Sequence, residues 1–165
     1  MRLCITGHDF SGKSSLLKDI YRTEKRNDKL SYIHLSYREP TTFEFYKNTL
    51  MFDNFLMDRC YLDELIYPKV FNREPNLSLD EAKKLYELSV SRDIFTIIVE
   101  CADDKELEKR VKARGLEEES EVLKNLEFIR DEYKKLARIF GIAVMDTSHL
   151  TLGEEREYIK TLMLK

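Results

Sequence analysis

The sequence predicts an α/β protein in three layers: a parallel sheet of five strands with helices on both faces. Two observations carry that prediction. Short β-leaning apolar runs alternate with amphipathic stretches along the whole chain. Between the first such run and the first helical stretch stands Gly7-His8-Asp9-Phe10-Ser11-Gly12-Lys13-Ser14, a glycine, four residues, then Gly-Lys-Ser. That is the pattern of a phosphate-binding loop, and it is meaningful only in this strand-to-helix setting.

Taken in order, Arg2-Leu3-Cys4-Ile5-Thr6 is the first strand, and the helix after the loop has apolar spacing at Leu16, Leu17 and Ile20. Tyr32 to Leu35 is the second strand and Asn54 to Asp58 the third. Asn72 to Asn76 reads as an exposed loop. Ser78-Leu79-Asp80-Glu81 is a capping box opening a helix to about Ser91, with Ala82, Leu85, Leu88 and Ser89 on one side. Ile94 to Glu100 is a nearly unbroken β-branched run, the kind buried on both faces of a parallel sheet. Asp103 or Asp104 caps the next helix, which runs to Gly115 with Leu107 and Val111 inward. Glu119 to Phe140 reads as one long amphipathic helix, Ile142 to Asp146 as the fifth strand, and Glu154 to Met163 as a last helix.

The 165 residues form one domain with enough chain for a single core. A net charge of −3 argues against general binding to nucleic acid. No apolar run approaches the roughly 20 residues of a membrane helix. The first strand begins at Arg2, which leaves no room for a signal peptide and points to the cytoplasm. Cys4, Cys60 and Cys101 are widely spaced and read as reduced thiols rather than a disulfide or metal framework.

The loop residues have definite physical uses. Glycines let successive N–H groups turn inward around phosphate oxygens. Lys13 reaches the β- and γ-phosphates, and the Ser14 hydroxyl ligates Mg²⁺. Asp58-Arg59 stands where the third strand ends, the edge at which open α/β sheets bind ligands. A carboxylate there can hold Mg²⁺ through water or take a proton from an attacking hydroxyl, and an adjacent arginine can clamp a phosphate. Arg38, in Tyr37-Arg38-Glu39-Pro40, follows the second strand at the same edge, with Glu39 able to hold it.

Gly-His-Asp-Phe-Ser-Gly-Lys-Ser-Ser, Arg-Glu-Pro-Thr-Thr and Asp-Arg-Cys-Tyr, in that order, resemble thymidylate kinase and related deoxynucleoside monophosphate kinases, in particular short bacteriophage-type members. Leu107 to Gly115 resembles the start of the kinase lid, and Val144 to Ser148 the loop bordering the donor adenine. The resemblance implies a P-loop NTPase fold with strand order 2-3-1-4-5 and a short lid at about 112–120. It implies ATP held by Gly7, Asp9, Phe10, Ser11, Gly12, Lys13, Ser14, Ser15 and Arg110, and Mg²⁺ at Ser14 and Asp58. The acceptor falls to Asp9, Arg38, Arg59, Glu64 and Tyr67, and catalysis to Lys13, Asp58, Arg59 and Arg114. Glu64 and Tyr67, three apart on the helix after Asp-Arg, face the acceptor together in this reading. Relatives of this kind pair as homodimers.

The resemblance has a gap. Thymidylate kinases follow Arg-Glu-Pro with glycines and a long thymine-reading segment, whereas here Thr41-Thr42-Phe43-Glu44-Phe45-Tyr46 leads quickly to Asp58. Phe43, Phe45 and Tyr46 either stack on a base or pack in the core. His8 has no chemistry that requires it, and His34 takes a hydrogen-bonded core or edge role. The expected activity is phosphoryl transfer from ATP to a deoxynucleoside monophosphate, dTMP-like or a modified pyrimidine. A second reading is a kinase of a hydroxyl, on a deoxynucleoside or a hydroxymethylated base in DNA, for which Asp58 serves as base. A third is a nucleotide-binding switch, disfavoured by the absence of a guanine-reading Asn-Lys-x-Asp stretch.

Overall fold

The computed structural model describes residues 1–24, 30–36, 41–115 and 120–164. Its centre is a parallel sheet in the order β2-β3-β1-β4-β5, built from β1 (Arg2–Thr6), β2 (Ser31–His34), β3 (Phe55–Asp58), β4 (Phe95–Glu100) and β5 (Ala143–Asp146). The helices are α1 (Lys13–Glu24), α2 (Phe43–Leu50), α3 (Tyr67–Val70), α4 (Leu79–Ser91), α5 (Asp104–Ala113), α6 (Glu121–Lys124), α7 (Leu126–Phe140) and α8 (Leu152–Met163). A 3₁₀ turn, Tyr61–Leu65, follows β3. None of the described helices is long and apolar enough to cross a membrane.

Alternation along β1 divides the core in two. Leu3 and Ile5 face one way, onto Leu16, Leu17 and Ile20 of α1 and Ile159 of α8. Cys4 faces the other, with Phe55 and Met57 of β3, onto α2, α4 and α7 through Leu50, Leu85, Ile129 and Leu136. Adjacent strand residues point to opposite faces, so one buried strand serves both helical layers. A smaller cluster, Phe10, Cys101 and Leu107, joins the phosphate loop to α5.

The register brings the strand ends into line. Ile5 and His34 both pair with Asp58, and Glu100 pairs with Asp146. The C-terminal ends of all five strands therefore lie along one edge, with β1 at the centre where the sheet order turns from one side to the other.

Caps explain several helix starts. Ser78 and Glu81 form the expected box, and Thr151 with Glu154 forms another, so α8 begins earlier than its apolar spacing suggests. Asp103, rather than Asp104, caps α5 through the N–H groups of Lys105 and Glu106. The long helix expected over 119–140 is divided: Ser120 caps α6, and Asn125 stands between α6 and α7 in non-helical backbone, its side-chain amide bonded to the Glu121 carbonyl. The amide shares that carbonyl with the Asn125 N–H itself, and the backbone turns out of helical angles at this one residue. Residue 119 and the neighbouring lid positions 116–119 lie outside the described residues, as do Arg38, Glu39 and Pro40. Phe43 and Tyr46 pack in or against the core, Tyr46 fully buried, while Phe45 is partly exposed.

Candidate active site

The phosphate loop joins β1 to α1, and tertiary packing explains its first glycine. A Cβ on Gly7 would lie 1.9 Å from the Val99 carbonyl oxygen of β4, and its φ is +143°. No side chain fits that approach. Phe10 also has positive φ, with its ring buried against Cys101 and Leu107.

His8 has a use that its sequence position did not reveal. It is buried; Nε2 accepts from the Cys101 N–H at 2.9 Å and Nδ1 donates to the Asp9 carbonyl at 2.6 Å. This pairing sets the tautomer and latches the loop to the end of β4. Burial pushes the imidazole pKa down to about 4, helped by Lys13 and Arg130. The Lys13 ammonium is buried and donates to the His8 carbonyl at 2.8 Å. Desolvation, with Arg59 nearby, lowers its pKa to about 8 despite the carboxylates around it.

Asp58 is the second element of the site. Its Oδ2 accepts from Ser14 Oγ at 2.6 Å, Tyr32 Oη at 3.1 Å and His34 Nδ1 at 3.0 Å. Its other oxygen, Oδ1, is buried with no hydrogen-bond partner among the described residues. Burial pushes the carboxyl pKa up, but the Ser14 hydrogen bond, the Lys13 charge and His34 outweigh it and hold Asp58 below its ordinary value. An ionised carboxylate with an unused oxygen beside the loop serine is a hard-oxygen donor set that suits Mg²⁺, which takes few protein ligands and completes its shell with phosphate oxygens and water.

Arg59 follows in a strained backbone, φ 75°, fixed by its N–H to the Ile5 carbonyl. The guanidinium is almost fully buried and spans two carboxylates, Asp9 Oδ1 at 2.9 Å and Asp63 Oδ1 at 3.1 Å, over the ring of Tyr67. Tyr67 in turn donates to Asp9 Oδ2 at 2.6 Å. Asp9 is therefore bound on both oxygens. Burial raises its pKa, while Lys13, Arg59 and Tyr67 more than reverse that and hold it ionised.

Beneath this wall lies Asp63, whose importance was not visible in the sequence. It accepts from Thr6 Oγ1 at 2.6 Å, Cys60 N–H at 2.8 Å, Tyr133 Oη at 2.7 Å and Arg59. The only local sign was its place at the third position of the turn opened by Cys60. Glu64 and Tyr67 do not share a helix face: Glu64 lies in the 3₁₀ turn and Tyr67 opens α3. Tyr67 points to Asp9, whereas Glu64 is gripped by Arg73 through Nη1 and Nη2, at 3.1 and 3.2 Å. Arg73, read as part of an exposed loop, thus anchors the Glu64 carboxylate from the segment after α3.

On the other flank, α5 packs Arg110 against the loop. Its Nη1 donates to Thr147 Oγ1 at 3.0 Å and the Phe10 carbonyl at 3.3 Å, Nη2 to the Thr147 carbonyl at 2.6 Å, and Nε to Glu106 at 3.1 Å. Thr147 Oγ1 donates to the Ser11 carbonyl at 2.7 Å. Arg114 caps α5 and lies over the Phe10 ring at 5.4 Å. A cavity of about 400 Å³ opens here, lined by Gly12, Ser15, Arg110, Arg114, Leu150 and Glu155 among others. The structure thus brings Asp9, Arg59 and Tyr67 together on one side of the loop, and Phe10, Gly12, Ser15, Arg110 and Arg114 on the other.

This strand order and loop are those of the three-layer P-loop fold, and solved structures share it. The chain is similar to YorR from Bacillus subtilis in complex with phosphorylated GDP, with TM-score 0.83 and 20% identity over 99% of this chain and 96% of that one. It is also similar to deoxyadenosine kinase from M. mycoides with products dCMP and dCDP (TM-score 0.58, 18% identity, 99% and 98% covered). A thymidylate kinase from Ehrlichia chaffeensis matches with TM-score 0.54 and 12% identity over 100% and 98% of the two chains. No protein-family model and no curated protein matches the sequence.

Proposed function

We propose that the protein transfers the γ-phosphoryl group of ATP to a deoxynucleoside monophosphate, in the manner of the thymidylate kinase-like enzymes it resembles. The observation that carries this is the continuous polar wall from Lys13 and Ser14 through Asp9, Arg59 and Tyr67, which leaves the loop between a donor pocket and an acceptor side. The loop amides and Lys13 bind the donor phosphates, and Arg110 and Arg114 border its base and lid. Ser14 and Asp58 hold Mg²⁺, which when bound neutralises phosphate charge. On the acceptor side Asp9 and Tyr67 face the sugar, Arg59 braces Asp9 close to the transferring group, and Arg38 holds the acceptor phosphate. Positioning and charge stabilisation carry phosphoryl transfer, and an anionic acceptor needs no strong base. The likeness to kinases of nucleosides and nucleotides supports the reaction class. A homodimer is the assembly the resemblance implies.

One observation favours the second reading, a hydroxyl acceptor. The Arg59 guanidinium is already engaged by Asp9 and Asp63, and Asp58 keeps an oxygen with no partner among the described residues at the strand edge, as a base for a sugar hydroxyl would. A phosphoryl-transfer screen with ATP and Mg²⁺ decides, pitting deoxynucleoside monophosphates against deoxynucleosides and hydroxymethylated DNA, with Lys13→Ala as the blank. Diphosphate from a monophosphate supports the first reading. Label only in nucleosides or DNA replaces it with the second, and hydrolysis without transfer removes both.

A further inference from the structure

A second cavity, of about 450 Å³, lies between α1 and the edge strand β2. Lys18, Tyr21 and Arg22 of α1 line it, together with Leu30, Ser31 and Tyr32. It shares no lining residue with the donor pocket. Lys18 and Arg22 are four apart on one helix, so their like charges stand side by side and repel. Neither makes an ion pair or side-chain hydrogen bond with a described residue. Elsewhere helix lysines are matched: Lys83, Lys109, Lys124, Lys135 and Lys160 each pair with an acid three positions earlier. Three before Lys18 stands Ser15, and Asp19, three before Arg22, turns to Arg156 of α8 instead. The cavity therefore holds unmatched positive charge in a chain whose net charge is −3.

We propose that this cavity is a second nucleotide site, in which Lys18 and Arg22 hold the phosphates and the tyrosine rings border the base. Cations of this kind take phosphate oxygens through charge-assisted hydrogen bonds, arginine with its planar fork. The rest of the wall suits a flat ring. Tyr21 and Tyr32 meet edge to face, with ring centroids 5.9 Å apart, and Leu30 adds apolar surface. The Tyr32 hydroxyl donates to Asp58, which steadies its ring on the cavity wall. Aromatic faces accept any base, so the site selects for phosphorylated nucleotides as a class. Its volume falls within the range of small-molecule sites. The proposal does not rest on the donor site at the phosphate loop.

Nuclear magnetic resonance of the full chain, with isotope-labelled tyrosine rings, tests this with ADP and Mg²⁺ as the probe. Tyr67, bonded to Asp9, reports the phosphate loop, and Tyr21 reports the cavity. Tyr21→Phe identifies the Tyr21 signals. These are expected to move along their own binding curve, separate from that of Tyr67. Lys18→Glu with Arg22→Glu should weaken the Tyr21 curve about tenfold or more and leave the Tyr67 curve in place. Both side chains are exposed, so the exchange leaves the core intact. Tyr21 signals that stay still or follow Tyr67, or a second curve indifferent to the charge reversal, overturn the proposal and leave the phosphate loop standing. A Tyr21 response to a short oligothymidylate but not to ADP also overturns it, in favour of a nucleic-acid track. A Tyr21 curve with no response at Tyr67 supports this site and strikes the donor reading instead.

Discussion

Asp58 and Asp63 are buried carboxylates separated by a single turn of chain, yet their surroundings are opposite. Each oxygen of Asp63 is occupied, by Thr6 and Cys60 on one and by Arg59 and Tyr133 on the other. Asp58 crowds Ser14, Tyr32 and His34 onto one oxygen and leaves the other without a partner among the described residues. A carboxylate whose lone pairs are all used is a strut. One kept short of donors holds capacity in reserve for a cation or a proton, at a cost in stability that function must justify. The contrast separates the residue to which we assign chemistry from the one that holds its neighbour in place.

Exchanging each for asparagine should therefore separate activity from stability. Asp58→Asn is expected to lower turnover about 10²–10³-fold, the usual loss when one preorganised charge-stabilising group is removed. Its melting temperature should fall only slightly, since the amide oxygen can still accept from Ser14 and Tyr32 while the charge that Lys13 and His34 favour is lost. A fall of many degrees would mean that Asp58 is a strut as well. Asp63→Asn should do the reverse. It leaves the buried Arg59 guanidinium short of a counter-charge and costs about 3 kcal/mol by urea denaturation, with activity lost only as far as Arg59 shifts. Unchanged stability would show that Asp9 alone suffices for Arg59.

The donor side has its own strut, His8, and acid should reveal it. A folded pKa near 4 against the ordinary 6.5 means that the unfolded chain binds the extra proton between those values. The contribution is complete above about pH 6.5 and is lost as pH falls toward 4, on the order of 3 kcal/mol. His8→Gln should flatten that part of the stability–pH curve; a curve as steep as the wild type would assign the acid lability to other groups. The smallest effect expected is at Tyr133. Tyr133→Phe removes one of the donors to Asp63 and should cost about 1 kcal/mol without altering substrate KM. A change in KM would instead couple this buried network to the acceptor.

Arg73 and the break at Asn125 show where reading the sequence fell short. Asn72 to Asn76 has the composition of a solvated loop, and only the fold of α3 carries Arg73 back onto Glu64. The apolar spacing from Val122 to Phe140 is continuous, and the single non-helical residue at Asn125 leaves no mark in it. Glu64 and Tyr67 were separated for a related reason: Pro68 favours a fresh helix start at Tyr67, and the preceding turn is 3₁₀. Glu155 and Asp63 were passed over because nothing in a run of ordinary polar residues marks a carboxylate that will be buried.

By itself the sequence determined the layers and the phosphate loop, while the strand order followed only from the resemblance that its motifs carry. Layers and loop depend on apolar periodicity, caps and a short glycine-bearing spacing, all of which act within one or two turns of chain. The tertiary structure alone decided which carboxylates are struts and which hold an oxygen in reserve. It also decided why residue 7 must be glycine, and that His8 reaches Cys101 across 93 positions of sequence. Each of these depends on a partner brought near by strand register and helix packing, and no local pattern records a distance between segments that meet only when the sheet forms.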